Sequence, residues 1–245
     1  LLSYYGRLNY TFNDKYLFTG TMRADGSSKF GENNKWAYFP SGAISWKAHK
    51  EGFINDLGIF NELKARLSYG ISGNQGIAPY QTLSRYGIEN YYDDGQWKTT
   101  IGPGYISGQY GPDYRYNYWS GIPNKDLKWE STSQLNFGLD MSFLNNRLKT
   151  TIDLYKKTTT DLLRQKFLPL SSSYSRIWVN DGEILNKGIE VTIDANIING
   201  EDFSMSSNLM LAINRNEVTS LGDGVSMGLL KDPNTGMDYE FQGTG

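Results

Sequence analysis

Ile189-Glu190-Val191-Thr192-Ile193-Asp194-Ala195-Asn196-Ile197 alternates apolar and polar side chains without a break. Successive side chains of an extended backbone point to opposite faces, so this stretch predicts a strand with one apolar and one wet face. The same period of two recurs on both sides of it. Toward the N-terminus, Leu148, Ile152 and Leu154 oppose Lys149, Thr151 and Asp153. Before them, Leu135, Phe137, Leu139, Met141 and Phe143 oppose Gln134, Asn136, Asp140 and Ser142, and Leu63, Ala65, Leu67, Tyr69 and Ile71 oppose Lys64, Arg66 and Ser68. Earlier still come Tyr38, Pro40, Gly42, Ile44 and Trp46, then Tyr16, Phe18, Gly20, Met22 and Ala24, then Leu8, Tyr10 and Phe12. Toward the C-terminus, Phe203, Met205, Leu209, Leu211 and Ile213 oppose Ser204, Ser206, Asn208 and Asn214. Eight strands are predicted in all.

The connections alternate as well. Asn13-Asp14, Asn145-Asn146 and Asn199-Gly200-Glu201-Asp202 read as tight turns. The link at 48–60 is of medium length, with room for a short helix. The regions 26–35, 73–127, 160–185 and everything after 216 read as loops. Short turns at one rim and long loops at the other form the pattern of an outer-membrane barrel. The alternating runs are about 10 residues long, close to the ~9–11 that cross a bilayer at a tilt. A β-sandwich would have strands of about 5–6 residues. Tyr16, Trp46, Phe143 and Phe203 fall at strand ends, where an interfacial aromatic girdle belongs. The expected fold is therefore all-β, an antiparallel transmembrane β-barrel with long extracellular loops; a soluble sandwich or solenoid is the alternative.

Bulk composition is compatible with this. Hydrophobic residues are 38% and the mean hydropathy is −0.53, which alone would suggest a polar soluble chain. A barrel wall, however, needs apolar residues on its outer face only. There are 18 Tyr and 27 Gly. No apolar run approaches the ~20 residues of a spanning helix. The net charge of −2 argues against a nucleic-acid partner. Without cysteine there is no disulfide framework, and a single histidine, His49, cannot build a histidine-based metal site.

Eight strands could close into a small barrel. The many long charged groups on the inward faces speak against closure, as does a last strand that runs into a loop. The chain opens on strand-like Leu1-Leu2-Ser3-Tyr4-Tyr5 and stops in turn-like Gly243-Thr244-Gly245. The expectation is that 1–245 is one contiguous piece of a larger barrel wall.

A set of short motifs then carries a resemblance. Arg23-Ala24-Asp25-Gly26-Ser27-Ser28-Lys29-Phe30 is followed by Phe39-Pro40-Ser41, by Trp46 with Glu51-Gly52-Phe53, and by Leu63-Lys64-Ala65-Arg66-Leu67-Ser68-Tyr69-Gly70. Gly73-Asn74-Gln75, Asn124-Lys125-Asp126-Leu127-Lys128-Trp129-Glu130, Gly138-Leu139-Asp140 and Asn146-Arg147-Leu148 continue the series. Asp153-Leu154-Tyr155, Thr160-Asp161-Leu162-Leu163 and Asn186-Lys187-Gly188-Ile189-Glu190 complete it. In order and spacing these resemble the barrel domain of SusC/RagA-type TonB-linked transporters.

The resemblance implies a plugged barrel of the 22-stranded class that imports oligosaccharides or peptides across the outer membrane of Bacteroidetes-type bacteria. It further implies a SusD-like surface lipoprotein as lid, the TonB complex as energy source, and contact with outer-membrane lipid. The plug, the TonB box and the C-terminal strand of that family have no counterpart within 1–245. Two other functions stay open beside it: a stand-alone small outer-membrane barrel with an adhesive or structural role, and a siderophore- or cobalamin-type receptor.

No residue pattern requires an enzyme or a cofactor. Gly102-Pro103-Gly104-Tyr105-Ile106-Ser107-Gly108 has the wrong glycine spacing for a phosphate loop. Asp93 with Asp94, or Glu130 with Asp140, could pair as hydrolytic carboxylates, but acids are ordinary on a wet inner face. His49 falls near the short-turn rim, away from the long loops. The aromatics Trp97, Tyr105, Tyr110, Tyr114, Tyr116, Tyr118 and Trp119 are the candidate contacts to substrate or lid, since exposed rings stack on sugars. The competing expectation is that they pack the long loop onto its neighbours. Gly188 predicts a bulge or a close approach of another group to the backbone.

Overall fold

A computed structural model of the chain describes residues 1–79, 82–83, 86–103, 123–167, 176–222, 226–231 and 238–243. In chain order the strands begin with β1 (Leu2–Phe12), β2 (Tyr16–Gly26), β3 (Trp36–Lys47) and β4 (Phe60–Asn74). A hairpin of β5 (Tyr86–Asp93) and β6 (Gln96–Pro103) precedes β7 (Glu130–Phe143) and β8 (Leu148–Thr160). A hairpin of β9 (Leu163–Phe167) and β10 (Arg176–Asn180) precedes β11 (Glu183–Asn199) and β12 (Ser204–Ser220), and β13 (Ser226–Lys231) with β14 (Asp238–Gly243) ends the series. One sheet contains the eight long strands in the order β1-β2-β3-β4-β7-β8-β11-β12, each antiparallel to its neighbours. These are the eight strands legible in the alternation. The sheet is open, with β1 and β12 as its edges.

Register keeps the two faces separate across the whole sheet. Tyr10 stands opposite Phe18, Phe18 opposite Ile44, Ile44 opposite Leu67, and Leu67 opposite Phe137. The same rung continues through Leu154 and Ile189 to Ile213. On the other face a rung runs through Thr19, Ala43, Ser68, Asn136, Tyr155, Gly188 and Asn214. The apolar face has little protein over it: Leu8 is 73% exposed and Ile213 72%. A contiguous apolar surface of this extent is unstable in water and requires a hydrocarbon neighbour. No helix among the described residues is long and apolar enough to cross a membrane; here the strands present the apolar surface.

Aromatic rings border this face at both ends. At the turn rim Phe12 lies 6.4 Å from Tyr16 and Phe60 lies 5.2 Å from Phe143, with Tyr16 opposite Trp46. Toward the loop rim Tyr4 stacks on Trp36 at 6.1 Å. Along β2 the span from Tyr16 to Ala24, which pairs with both Tyr4 and Tyr38, is about 26 Å at ~3.3 Å per residue. At a tilt near 40° this gives a band about 20 Å tall, close to the apolar height of an outer-membrane barrel.

The turns follow from local chemistry. Asn13 and Asp14 both have φ near +50°, as the centre of a type I′ turn requires; the Lys15 N–H donates to the Phe12 carbonyl at 3.0 Å, and Lys15 is a third loop residue because Phe12 pairs with Tyr16. Leu144, Asn145 and Asn146 are also left-handed. That turn is tied on both sides: the Asn146 N–H donates to Asn61 Oδ1 at 3.2 Å, and Arg147 Nε donates to the Asn196 carbonyl at 3.2 Å. The link at 48–60 holds a 3-10 turn and the short helix α1 (Gly52–Asn55), as its lack of alternation predicts.

Three expectations need correction. The regions 73–127, 160–185 and beyond 216 are not simply loop, since each carries a two-stranded hairpin and β12 itself runs to Ser220. Ile197 has no partner of its own on β12, where unbroken alternation would have given it one. It is the extra residue of a bulge between Asn196 and Ile198, which moves Ile198 opposite Met205. Phe203 lies just outside β12.

Candidate functional site on the polar face and loop rim

The polar face carries a pinned charge network at its centre. Strand period places Lys64 and Arg66 on β4 beside Asp140 on β7 and Asp153 on β8. Arg66 forms two parallel hydrogen bonds with Asp140, Nε to Oδ2 and Nη2 to Oδ1, both 2.8 Å. Its Nη2 also donates to Asp153 Oδ1 at 3.2 Å. Lys64 Nζ lies 3.7 Å from Asp140, Thr151 Oγ1 donates to Asp140 at 3.4 Å, and Asn136 Nδ2 donates to Asp153 at 3.4 Å. The bidentate fork is the strong form of this contact. Two cations and two carboxylates thus neutralise one another on the wall.

Glycines let these side chains lie flat. A Cβ at Gly138 would stand 2.5 Å from the Arg66 guanidinium. At Gly188 it would stand 2.8 Å from the Tyr155 hydroxyl and 2.6 Å from the Ile213 carbonyl. The expected close approach at Gly188 is therefore present, while the register there shows no bulge. Arg66, Gln134, Asn136, Asp153, Tyr155, Lys157 and Glu190 line a polar trough of about 340 Å³ beside the network. Tyr155 and Arg66 sit in it as fixed surfaces rather than as free arms.

At the loop end lies the apolar core of the described residues. Phe30, Phe39, Ile77, Leu127 and Trp129 are buried together, with Ala37, Ile71, Leu163 and Trp178 against them. Trp129 meets Phe30 at 5.0 Å and the edge of Phe39 at 5.7 Å. Polar contacts between loops surround this core. Ser27 Oγ donates to Gln75 Oε1 at 2.7 Å, the Gly31 N–H to the Leu127 carbonyl at 3.2 Å, and Asn34 Nδ2 to the Asp126 carbonyl at 2.9 Å. Asn180 exchanges two 2.7 Å bonds with the backbone of Lys128 and donates also to the Asp161 carbonyl at 3.0 Å. Glu130 accepts from Asn74 Nδ2 at 3.2 Å and from the Leu163 N–H at 3.3 Å. Four connecting segments, at 27–35, 75–79, 123–129 and 161–163 with 178–181, are thereby clamped into one base.

The turn rim is held differently. Glu51 accepts from Lys15 Nζ at 2.8 Å, Tyr16 Oη at 2.7 Å and Trp46 Nε1 at 3.3 Å. The Lys15 ammonium foremost, then the Tyr16 hydroxyl and the Trp46 indole, pull its carboxyl down to about 2. Asp14 sits between Lys50 and Lys47, whose hydrogen bonds and charge draw it down to about 2 as well. His49 belongs to this rim, its Nδ1 3.3 Å from the Leu63 N–H, where it fixes the entry to β4.

Of the residues the sequence singles out, Trp97 lies on β6, 73% exposed and packed edge-on against Tyr92 at 5.4 Å. Tyr105, Tyr110, Tyr114, Tyr116, Tyr118 and Trp119 lie outside the described residues. The acids weighed as hydrolytic pairs are otherwise occupied: Asp93 pairs with Lys98 at 2.5 Å, Glu130 with the loop clamp, and Asp140 with Arg66. Among the described residues no cluster of three or more acids or histidines could hold a metal. Pattern reading missed the Arg66 network, although its signal was available: two bases and two acids at inward positions of neighbouring strands.

Comparison with known proteins agrees with this geometry. The chain is 39% identical to TonB-dependent receptor P3 of Formosa agariphila over 224 residues, 91% of this chain and 21% of that protein. It is 38% identical to TonB-dependent receptor SusC of Bacteroides thetaiotaomicron, again over 91% of this chain and 21% of that one. It thus spans about a fifth of the curated relatives it matches. Among solved structures, that of the RagAB peptide transporter superposes with a TM-score of 0.75 at 29% identity, covering 98% of this chain and 24% of the other. The siderophore receptor PirA from Pseudomonas aeruginosa shares the fold at a TM-score of 0.51 and 15% identity. These relatives are receptors and transporters, in a family of the Gram-negative outer membrane. The family described as TonB dependent receptor-like, beta-barrel matches residues 2–235, and the chain belongs to it, on the SusC/RagA side.

Proposed function

We propose that these eight strands are a contiguous part of the barrel wall of an outer-membrane importer that takes up oligosaccharides or peptides, energised by TonB and covered by a SusD-like surface lipoprotein. The observation that carries the proposal is similarity along nearly the whole chain to SusC and to the RagAB transporter. The geometry supports it. The polar face is wet and its central charges, Lys64, Arg66, Asp140 and Asp153, are neutralised in place, which suits passage rather than chemistry. The clamp fixes the bases of the long loops, on which substrate and lid contacts would stand. Trp97 and the aromatic run Tyr105, Tyr110, Tyr114, Tyr116, Tyr118 and Trp119 are the proposed contacts, because rigid rings give stacking area at small entropic cost.

The test uses the full-length protein in its own membrane. Deleting its gene should abolish growth on one class of oligomer while growth on the monomer persists. A tagged copy should co-purify a surface lipoprotein encoded nearby. Trp97→Ala with Trp119→Ala should weaken uptake or lipoprotein capture with the barrel still folded. Unimpaired oligomer use on deletion, with loss of an iron chelate instead, would replace this reading by the siderophore-receptor one.

A further inference from the structure

The apolar face changes character at the loop end of its last strands. On β8, Leu148, Thr150, Ile152 and Leu154 lead to Lys156 on the same face. Lys156 stands opposite Lys187 of β11, and Lys187 stands opposite Arg215 of β12. All three are exposed, and none makes an ion pair or side-chain hydrogen bond among the described residues. They lie four or five residues from the loop ends of their strands, at Thr160, Glu183 and Ser220. On β1 to β4 the same rung is occupied by Leu8, Gly20, Gly42 and Tyr69.

Like charges directly opposite one another on neighbouring strands repel. Here three occur in consecutive register positions with no carboxylate among them. Glu217 is on this face one rung further toward the loops, opposite Leu185, and bonds to none of the three. A cation on the lipid face is costly at mid-membrane and nearly free at the interface. On their own strands these three follow, on the loop side, the last rung that is wholly apolar, Leu154, Ile189 and Ile213, and the loop side is where lipid phosphates lie. One guanidinium fork and two ammonium groups in a row form a receptor for a phosphate.

We infer that Lys156, Lys187 and Arg215 bind the phosphorylated head group of an outer-leaflet lipid, whose acyl chains lie along Leu154, Ile189 and Ile213 below. This rests on the importer reading only for its orientation, with the loop rim outward. The lipid phosphate would supply a counter-charge to all three and bridge three strands from outside.

The experiment is native mass spectrometry of the full-length protein in detergent, with lipid A, dephosphorylated lipid A and inorganic phosphate as probes. Lipid A should stay bound, and K156Q/K187Q/R215Q should weaken it about tenfold or more, as loss of charge-assisted contacts predicts. Lys157→Gln, on the same strand but the polar face, should leave it unchanged, and single Lys187→Gln should give a partial loss if the triple variant fails to fold. Equal binding of dephosphorylated lipid A, equal loss in Lys157→Gln, or displacement by equimolar inorganic phosphate would overturn the inference. Normal oligomer uptake with no lipid retention would remove this site alone. Retention of lipid by a protein that imports no oligomer would leave the site and remove the transport reading.

Discussion

The two rims of this wall are held by different physics. At the turn rim, carboxylates gather ammonium groups and ring hydrogen-bond donors near the surface, as Glu51 and Asp14 do. At the loop rim, a dry cluster of Phe30, Phe39, Ile77, Leu127 and Trp129 is sealed by hydrogen bonds between segments far apart in sequence. Among the described residues the wall between them holds no buried apolar cluster, because its apolar side chains are turned outward on one face of the sheet. Burial is therefore concentrated where loops must be held in place, while strands joined by short turns need only register and charge.

This contrast can be tested in the full-length protein, region by region. The largest effect is expected from Trp129→Ala, which removes the ring shared by Phe30 and Phe39. Loss of a buried aromatic costs about 3–5 kcal/mol, so hydrogen exchange of residues 27–35 should accelerate strongly while the 13–15 turn stays protected. Unchanged protection at 27–35 would show that the hydrogen bonds, not the core, hold the clamp. Leu127→Ala should act in the same direction at about 2–5 kcal/mol, toward the lower end if Ile77 collapses into the space.

Asn180→Ala should cost less, on the order of 0.5–1.5 kcal/mol, because it removes the acceptor of the Lys128 N–H and the donor of two carbonyls where water has access to the Lys128 bonds. Its readout is proteolysis between β8 and β11, and full protease resistance would argue that water replaces the amide. The smallest effect belongs to the turn rim and depends on pH. Glu51 and Asp14 have folded-state values of about 2, below the ordinary 4.5 and 3.8. Depressed carboxyl values mean that their stabilisation is complete above about pH 4.5 and is lost as pH falls toward 2. Exchange at 13–15 and 48–56 should rise in that window and should rise less in Glu51→Gln, which has already lost the charge. A pH-independent turn rim would sink this part of the comparison.

How much of this could be read in the sequence follows from the same contrast. The eight wall strands were legible because a membrane on one side and water on the other impose strict alternation, as at Ile189–Ala195. The hairpin β5–β6 was not, since it forms a two-stranded sheet of its own apart from the wall. Its Asp94-Gly95 pair, with φ of +51° and +74°, carried the signal of a tight hairpin turn that the long irregular stretch around it obscured. The Ile197 bulge was hidden because a bulge shifts the register without breaking the run of apolar residues. The clamp was visible as motifs but not as contacts. Asn34 and Asp126 are 92 positions apart, and Trp129 and Lys35 are 94 apart; spacing within a strand cannot reveal such pairings.

On the proposed import function, the Arg66 network bears on how long a solute would dwell at this wall. Opposite charges bonded to each other two by two leave little net field for a passing ion to follow, and Gly138 lets the guanidinium lie against the sheet instead of reaching into the stream. The trough beside the network adds the amides of Gln134 and Asn136 and the Tyr155 hydroxyl to the charges of Lys157 and Glu190. A solute would exchange water for such groups at little cost in either direction, and discrimination would then be left to the loops above.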